Sequence, residues 1–283
     1  MLRIGMLGIE KLIEVRRSSG LVVLLPRIDV LLDIPSDAEI DEQTIKENIN
    51  RIINDAVEGE VTAIEDLSAD IIKELSSFAK RAEVRMEADY VVYRETPVSR
   101  QRTQATYKIL TKALSENGQI TKMVGAEVIG MASCPCAQEG LIEHAREELK
   151  FSKEEKDEIL NTVPIASHNQ RNVATLYIEV PEEYDLEIEE LIELLENSMS
   201  AKIYDVLKRK DEVHVVLESY KNPNFVEDIV RKILMEVVKK YKNLPDESMI
   251  FVKSESFESI HQHNAIAERT SSLKELRSEV NLD

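Results

Sequence analysis

The spacing of apolar residues divides the first third of the chain into short strands and amphipathic helices. The apolar runs at residues 21–25 and 30–34 are flanked by glycine or proline and have the length of sheet strands. Apolar residues then recur at helical spacing at residues 45–57 and 67–78, the pattern of two helices that each bury one face. Residues 84–90 alternate between apolar and charged side chains, as in a strand with one face in the core. This pattern predicts a sheet covered by helices on one side.

The rest of the chain shows a similar order of strands and helices. Residues 124–130 form a predicted strand, and residues 138–160 have the charged composition of a helical segment. The later predicted elements are strands at residues 173–180, 213–218 and 249–252 and helices at residues 186–197 and 225–237. Together they predict an α+β fold of two related modules in tandem, at residues 1–160 and 161–283.

The charge of the chain narrows the choice of partners. The chain has 283 residues, and 54 acidic side chains outnumber 36 basic ones, which gives a formal charge of −18. Such a charge argues against nucleic acid or an anionic membrane as the main partner, so an anionic substrate needs a local basic patch. No apolar run approaches the roughly 20 residues that span a bilayer, and the first residues lack the apolar segment of a signal peptide. We therefore expect a cytoplasmic protein.

Cysteine and histidine residues stand in three unusual stretches. These are Ser-Cys-Pro-Cys at residues 133–136, Ser-His-Asn-Gln-Arg at residues 167–171, and a stretch near the C-terminus with Glu258, His261 and His263. Thiolate, imidazole and carboxylate groups suit zinc or ferrous iron. Because the chain has a Cys-x-Cys and no Cys-x-x-Cys, a catalytic metal with an open position is favoured over a closed structural site. The alternative is a non-catalytic protein with buried cysteines and surface histidines.

Residues 97–104 carry Arg100 and Arg102 among hydroxyl and amide groups. The planar fork of arginine matches phosphate oxygens, so this segment is either a phosphate-facing loop or a solvated turn. The chain has no Gly-x-Gly-x-x-Gly and no Walker-type loop, which disfavours a dinucleotide-binding fold or a P-loop nucleotide enzyme.

Five motifs in one order resemble those of a known enzyme family. They are residues 133–136, 168–171, 208–212 (Lys-Arg-Lys-Asp-Glu), 222–228 (Asn-Pro-Asn-Phe-Val-Glu-Asp) and 255–263 (Glu-Ser-Phe-Glu-Ser-Ile-His-Gln-His). The series is similar to that of the type IB GTP cyclohydrolases, and within them to the archaeal branch of methanopterin biosynthesis. The resemblance implies the tunnelling fold, in which tandem modules of antiparallel strands and paired helices close into a barrel-like homo-oligomer with active sites at subunit interfaces.

The resemblance also implies roles for individual residues. Cys134, His168 and Glu212 correspond to the ligands of one metal ion per subunit, Fe(II) with Zn(II) or Mn(II) as alternatives, and Cys136 lies close by in sequence. The residues implied in catalysis are Cys134, Glu258, His261 and His263. The implied substrate contacts are Glu227, which would accept hydrogen bonds from the guanine edge, Arg171, which would contact phosphate, and Ser99.

The reaction of this family starts from GTP. Water adds to C8 of guanine, the imidazole ring opens, formate leaves, and the ribose carbons close a dihydropterin ring. In the archaeal branch the 2′-hydroxyl attacks the α-phosphate, expels pyrophosphate and gives 7,8-dihydroneopterin 2′,3′-cyclic phosphate, whereas in the bacterial-type branch the triphosphate survives. Both products stay open, because residues 100–102 replace a glycine-rich stretch of the family. A reductase on the same fold, with Cys134 or Cys136 as nucleophile, is the alternative of a different class.

Overall fold

The computed structural model describes residues 1–17, 20–35, 42–58, 61, 63–181, 184 and 186–280. The strands are β1 (Leu2–Glu10), β2 (Ile13–Arg17), β3 (Gly20–Leu24), β4 (Arg27–Ile34), β5 (Arg81–Glu95), β6 (Arg102–Glu116), β7 (Gln119–Ser133), β8 (Asn169–Val180), β9 (Ala201–Lys202), β10 (Met249–Ser256) and β11 (Ala265–Ser272). The helices are α1 (Glu42–Val57), α2 (Ile64–Leu75), α3 (Pro135–Glu148), α4 (Lys153–Thr162), α5 (Ile188–Ser198), α6 (Arg209–Lys221), α7 (Val226–Lys240) and α8 (Leu273–Val280).

One antiparallel sheet organises the chain. Within the described residues its strand order is β1-β4-β5-β6-β7-β8-β10-β11, with the short β9 paired to β7, and β2 and β3 form a separate hairpin. The long strands β6 and β7 are joined at Asn117 and Gly118, which have positive φ angles of 51° and 83°. Both residues tolerate this left-handed conformation, so a two-residue turn connects the strands and pairs Glu116 with Gln119.

The helices cover one face of this sheet. In β5, Val84, Met86 and Ala88 are buried, whereas Arg85 and Glu87 between them are exposed on the opposite face. Helix α2 packs on β5, β6 and β7, and α5 and α7 pack on β7 and β10. Because each fully buried aliphatic side chain contributes about 1.5–3 kcal/mol, the matching apolar stripes of strands and helices hold the two layers together. The predicted α+β fold with helices on one face is confirmed.

The order of elements occurs twice along the chain. Two strands, two helices and two strands appear as β1, β4, α1, α2, β5 and β6, and again as β7, β8, α5, α7, β10 and β11. In the second set, helices α3 and α4 stand between the first two strands. The β7–β8 ladder joins strands on either side of the predicted boundary between residues 160 and 161, and that division stays a prediction.

The predicted strand at residues 213–218 is wrong, because this segment lies in α6. The carboxylate of Asp211 accepts a hydrogen bond from the backbone N–H of Lys208 at 3.1 Å and closes the first turn of the helix. Val213 and Val216 are 55% and 44% exposed, whereas Val215 between them is buried, so these β-branched residues lie on different sides of the helix.

The predicted helical segment at residues 138–160 is two helices, α3 and α4. The second helix begins anew because Ser152 and Glu155 form a reciprocal capping box. Strands β1, β2, β6, β9 and β11 and helices α6 and α8 were not predicted. Among the helices of the described residues, none has both the length and the apolar character required to cross a membrane.

Candidate active site

The α3–α4 hairpin leaves and rejoins the sheet at one point. Strand β7 ends at Ser133, which pairs with Asn169 at the start of β8. As a result, Cys134 and His168 are neighbours although the whole hairpin separates them in sequence. The backbone N–H of Cys134 donates to the carbonyl of His168 at 3.2 Å, and the hydroxyl of Ser167 donates to the carbonyl of Cys134 at 2.6 Å. The structure therefore places these two predicted metal ligands at the same end of the sheet.

The loop between β10 and β11 brings Glu258 to this point. Its path is set by the backbone N–H of Phe257, which donates to the carbonyl of Arg171 at 2.9 Å and extends the β8–β10 pairing. Gln170 then bridges two site residues. Its Nε2 donates to Oε1 of Glu258 at 2.9 Å, and its Oε1 lies 3.0 Å from Nδ1 of His168. A three-membered network of imidazole, amide and carboxylate follows.

The carboxylate of Glu258 is buried, and one of its two oxygens accepts a hydrogen bond. Its side chain is 1% exposed, and Oε2 has no hydrogen-bond partner among the described residues. This oxygen lies 3.9 Å from Nδ1 of His168. A buried acceptor without a donor is unfavourable, and such atoms in folded proteins call for an explanation such as a catalytic role or an unseen ligand.

Two further imidazoles approach His168. The rings of His168 and His261 meet edge to face with centroids 6.4 Å apart, and His261 and His263 stack with centroids 5.4 Å apart. The hydroxyl of Ser259 lies 3.5 Å from Nδ1 of His168. Three of the five histidines of the chain thus converge with Glu258, although His261 and His263 themselves are exposed to solvent.

Glu212 does not join this group within one chain. It is exposed in the first turn of α6. In the part of the chain that the structure describes, no three or more His, Cys, Asp or Glu side chains form a group that could hold a metal ion. The predicted ligand set of Cys134, His168 and Glu212 stays a prediction. Cys136, in the first turn of α3, is exposed and its thiol is free.

Ser99 is engaged by the residue that precedes Glu212. The buried carboxylate of Asp211 accepts hydrogen bonds from the Ser99 backbone N–H at 2.7 Å, the Ser99 hydroxyl at 2.6 Å and the Val98 N–H at 3.0 Å. Burial alone would raise the pKa of Asp211, but the hydrogen bonds from Ser99 and the neighbouring backbone hold it well below its usual value. Asp211 therefore ties the loop between β5 and β6 to α6, and a substrate contact by Ser99 stays a prediction.

Glu227 stands exposed in the first turn of α7, close to the cysteine loop. The loop before α7 is fixed to the sheet, because the backbone N–H of Ser133 donates to the carbonyl of Asn224 at 3.3 Å. The hydroxyl of Ser200 accepts from the N–H groups of both Ser133 and Asn224, at 3.1 and 2.9 Å. The residue before Cys134 and the helix that carries Glu227 are thus held together, while direct purine recognition by Glu227 stays a prediction.

Arg171 lies on the other face of β8 from Gln170. It is exposed and lines a cleft of about 450 Å³ together with Gln104, Tyr107, Ile129 and Tyr204. Burial and a hydrogen bond to Glu196 raise the pKa of Tyr107 to about 12, so its hydroxyl keeps its proton at neutral pH and donates it to Glu196. The carboxylates of Glu196 and Asp205 line the same cleft, so Arg171 stands there among acidic side chains, and its predicted phosphate contact stays a prediction.

Sequence reasoning gave no role to Gln170 or Asp211, although both stand inside the motifs that it singled out. Gln170 could have been noticed as a polar residue at a buried position of a strand. Asp211 could have been noticed as an acidic residue at position N3 of a helix, where a side chain caps the helix. Their partners come from segments about 88 and 112 residues away, and no local pattern shows such contacts.

The fold and this arrangement of residues define a tunnelling-fold protein. The structure is similar to the uricase of Arthrobacter globiformis, with a TM-score of 0.57 and 8% identity over 96% of this chain and 93% of that one. It is also similar to the uricase of Bacillus fastidious, with a TM-score of 0.53 and 6% identity over 99% of this chain and 96% of that one. At such low identity these likenesses establish the fold alone, and they confirm the predicted fold class.

The chain belongs to the family of type I GTP cyclohydrolases described as folE2, whose family model matches residues 1–267. It is 43% identical to the GTP cyclohydrolase MptA of Methanococcus aeolicus, over 98% of this chain and 94% of that protein. The MptA proteins of Methanobrevibacter smithii and Methanothermobacter thermautotrophicus are each 39% identical, over 99% and 98% of this chain and 94% and 91% of their own lengths. The family predicted from the five motifs is confirmed.

Proposed function

We propose that this protein is a metal-dependent GTP cyclohydrolase that acts in methanopterin biosynthesis and gives 7,8-dihydroneopterin 2′,3′-cyclic phosphate. The chemistry is the addition of water to C8 of guanine, opening of the imidazole ring, loss of formate and closure of a dihydropterin ring. The near full-length similarity to MptA proteins of methanogens supports the cyclic phosphate as product.

The observation that carries the proposal is the convergence of His168, Glu258 and His261 at one end of the sheet. These residues come from two distant segments, and only the β8–β10 pairing brings them together. A reaction that moves several protons needs acidic and basic groups within reach of one substrate, and imidazole and carboxylate are the side chains suited to that work near neutral pH.

The donor types at this point fit a metal ion. Cys134 offers a thiol, and His168 offers Nε2 because its Nδ1 faces Gln170. Glu212, which does not join them within one chain, is proposed as the third ligand from the family resemblance of its motif. Such a mixed set suits Fe(II), with Zn(II) or Mn(II) as alternatives, and we propose one ion per subunit. When bound, a metal of this kind supplies Lewis acidity that makes water a nucleophile near neutral pH.

The protein side chains then have separate tasks. Oε2 of Glu258, buried and without a described donor, can accept a proton and return it, and His261, which lies against His168 and stacks on His263, is proposed to assist. Glu227 can accept two hydrogen bonds from the N–H groups of the guanine edge. Arg171 can contact phosphate oxygens from the cleft that it lines.

The test is incubation of the metal-loaded protein with GTP, followed by mass analysis of the pterin and assay of formate and pyrophosphate. The expected products are the cyclic phosphate, formate and pyrophosphate. A triphosphate product would contradict the cyclic phosphate and retain the cyclohydrolase. Activity that survives a chelator and requires NADPH would contradict the proposal and favour a reductase. Failure to release formate would contradict the cyclohydrolase altogether.

We also infer a homo-oligomer, a dimer or tetramer, with the substrate pocket at or near an interface. In the described residues, β1 and β11 stand at the two ends of the sheet, and each pairs on one side only. Leu2 and Leu7 on β1 and Ile266 on β11 are 53%, 65% and 56% exposed. Closing the sheets of several subunits removes such open edges. Sedimentation is expected to show at least a dimer, and a fully active monomer at assay concentration would contradict this inference.

A further inference from the structure

We propose that Gln170 is a positioning residue that fixes the tautomer of His168 and the orientation of the Glu258 carboxylate with one amide group. The Gln170 amide thus orients both the proposed metal ligand, His168, and the proposed proton-transfer group, Glu258. This inference deepens the proposed function and rests on it for the role of His168 as a ligand.

The direction of the amide follows from what each partner can do. An ionised carboxylate accepts hydrogen bonds and cannot donate, so the Nε2 side of Gln170 must face Glu258, at 2.9 Å. The second hydrogen on Nε2 points to the hydroxyl oxygen of Ser256 at 3.0 Å. With both hydrogens of the amide engaged, the carbonyl Oε1 is left for Nδ1 of His168 at 3.0 Å.

The tautomer of His168 follows from the same logic. A carbonyl oxygen only accepts, so Nδ1 of His168 must carry the proton. The neutral ring then has its lone pair on Nε2, on the side away from Gln170. Metals bind the nitrogen that has no proton, and the partner of the other nitrogen decides which one that is. Gln170 therefore prepares Nε2 for the metal before any metal arrives.

Gln170 also determines which oxygen of Glu258 stays available. Oε1 is held by the amide, whereas Oε2 remains without a described partner, 3.9 Å from Nδ1 of His168. Exposures of 7% for Gln170 and 1% for the Glu258 side chain leave little room for water to replace the amide. Loss of the amide would free the carboxylate to rotate, and both oxygens would become equivalent.

The chain contains a matched control for this role. Asn172, two residues further along β8, is also buried, and its Nδ2 donates to the hydroxyl of Ser254 on β10 at 2.9 Å. The Gln170–Ser256 contact at 3.0 Å is the same kind of bridge between the same two strands. The difference is that the Ser254 hydroxyl also donates to Oδ1 of Asn172 at 3.1 Å, and within the described residues the Asn172 side chain has no hydrogen bond to a residue of the candidate site.

The first readout is the tautomer of His168 in the metal-free protein, from the nitrogen chemical shifts of isotope-labelled histidine. The protonated nitrogen is expected to be Nδ1. In Gln170→Leu the ring is expected to lose this preference, whereas Asn172→Ala retains it. Gln170→Glu keeps an acceptor for Nδ1 and removes the donor to Glu258, so it is expected to retain the tautomer and lower kcat.

The second readout is affinity for Zn(II) alone, measured by competition with a chromophoric chelator. Loss of an outer-shell partner typically weakens metal binding by about 10–100-fold, and we expect this for Gln170→Leu. Asn172→Ala should stay within roughly threefold of the unsubstituted protein, because it breaks a bridge without touching a ligand.

A proton on Nε2 of His168 in the unsubstituted protein would overturn the inference. So would equal losses of Zn(II) affinity in Gln170→Leu and Asn172→Ala, since these would show a general effect of strand pairing. If Gln170→Leu does not fold, Gln170→Glu decides: loss of the Nδ1 proton in that variant contradicts the inference, and its retention with lowered kcat supports it. A protein that releases no formate from GTP would contradict the proposed function, while the tautomer still decides the role of Gln170.

Discussion

Two buried carboxylates, one on strand β5 and one in the loop between β10 and β11, have opposite surroundings. Glu83 on β5 has a side chain that is 4% exposed, and it forms ion pairs with Arg3, with Arg85 at 2.6 Å and with Lys112 at 3.4 Å. Glu258, whose side chain is 1% exposed, receives one hydrogen bond from Gln170 and has no described cationic partner other than the distant imidazole of His168. The negative charge of Glu83 is therefore balanced by three basic side chains, whereas the carboxylate of Glu258 has one amide donor and no basic side chain close by in the described residues.

Under the proposed function, this difference distinguishes a structural acid, Glu83, from a catalytic one, Glu258. Burial alone would raise the pKa of Glu83, but the Arg85 hydrogen bond and the charges of Lys112, Arg85 and Arg3 lower it, so Glu83 stays ionised and joins β1, β5 and β6. A buried carboxylate that lacks such compensation is tolerated where it serves a reaction. Under the proposed function, Glu258 is such a reactive carboxylate, whereas Glu83 stabilises the fold.

The largest expected effect concerns the surroundings of Glu258, where we predict that substitution of Cys134 or His168 strongly weakens metal binding. Cys134→Ala and His168→Ala are expected to weaken Zn(II) or Fe(II) binding by more than the roughly 100-fold that an outer-shell change costs, because each removes a direct donor. Elemental analysis of loaded and desalted protein measures it. His144→Ala, an exposed histidine on α3, serves as the control and should leave the metal content unchanged. Undiminished metal in both site variants would refute the ligand assignment.

The next effect concerns recognition of the purine. Glu227→Gln replaces a carboxylate by an amide and loses charge-assisted hydrogen bonds of about 1.5–3 kcal/mol, so GTP binding should weaken by roughly 10–100-fold. Calorimetric titration with GTP measures this, and Zn(II) affinity should not change. Glu236→Gln, further along α7, is the matched control. If GTP binds both variants with equal affinity, Glu227 is a charge at a helix N-terminus and no more.

The comparison itself predicts opposite changes in stability. Glu83→Gln leaves Arg3, Arg85 and Lys112 without their shared anion and should lower the free energy of unfolding by about 1–3 kcal/mol. Glu258→Gln removes an uncompensated charge and should be neutral or stabilising. Urea denaturation of the two variants measures the difference. A loss of stability in Glu258→Gln as large as that in Glu83→Gln would break the comparison.

The smallest effect is a pH dependence at Asp211. Its pKa is lowered in the folded state, so its contribution to stability is present above the usual Asp pKa of about 3.9 and is lost as the pH falls toward the lower folded value. Asp211→Asn should therefore lower the melting temperature at pH 7, and its deficit should shrink below about pH 4. Asp205→Asn, an exposed neighbour, is the control. A deficit that is constant with pH would contradict the role of the charge.

Much of the layer structure could be predicted from the sequence. Helices α1, α2, α5 and α7 were found because their apolar stripes repeat at helical spacing, and that spacing reports burial directly. Strand β11 was missed, since this end strand has no strong alternation of apolar and polar side chains. The β6–β7 hairpin was missed although Asn117 and Gly118 are the preferred residues of a two-residue turn.

The motifs named residues of the candidate site without showing how these residues contact one another. Of the named residues, the structure brings Cys134, His168, Glu258 and His261 to one end of the sheet. Glu212 does not join them within one chain. The bridge through Gln170 depends on the register of β8 against β10, which aligns Asn172 with Ser256 and carries the chain on to Glu258. Register is a property of two strands, so no single stretch of sequence displays it.

The measurement that tests the central claim most directly is formate release from GTP by three proteins at equal folded concentration and equal metal content. The unsubstituted protein and Glu83→Gln are expected to release formate at similar rates. Glu258→Gln is expected to be slower by about 10²–10⁴-fold, the usual contribution of a proton-transfer group. Formate release by Glu258→Gln at the unsubstituted rate, or none from any of the three proteins, would contradict the account.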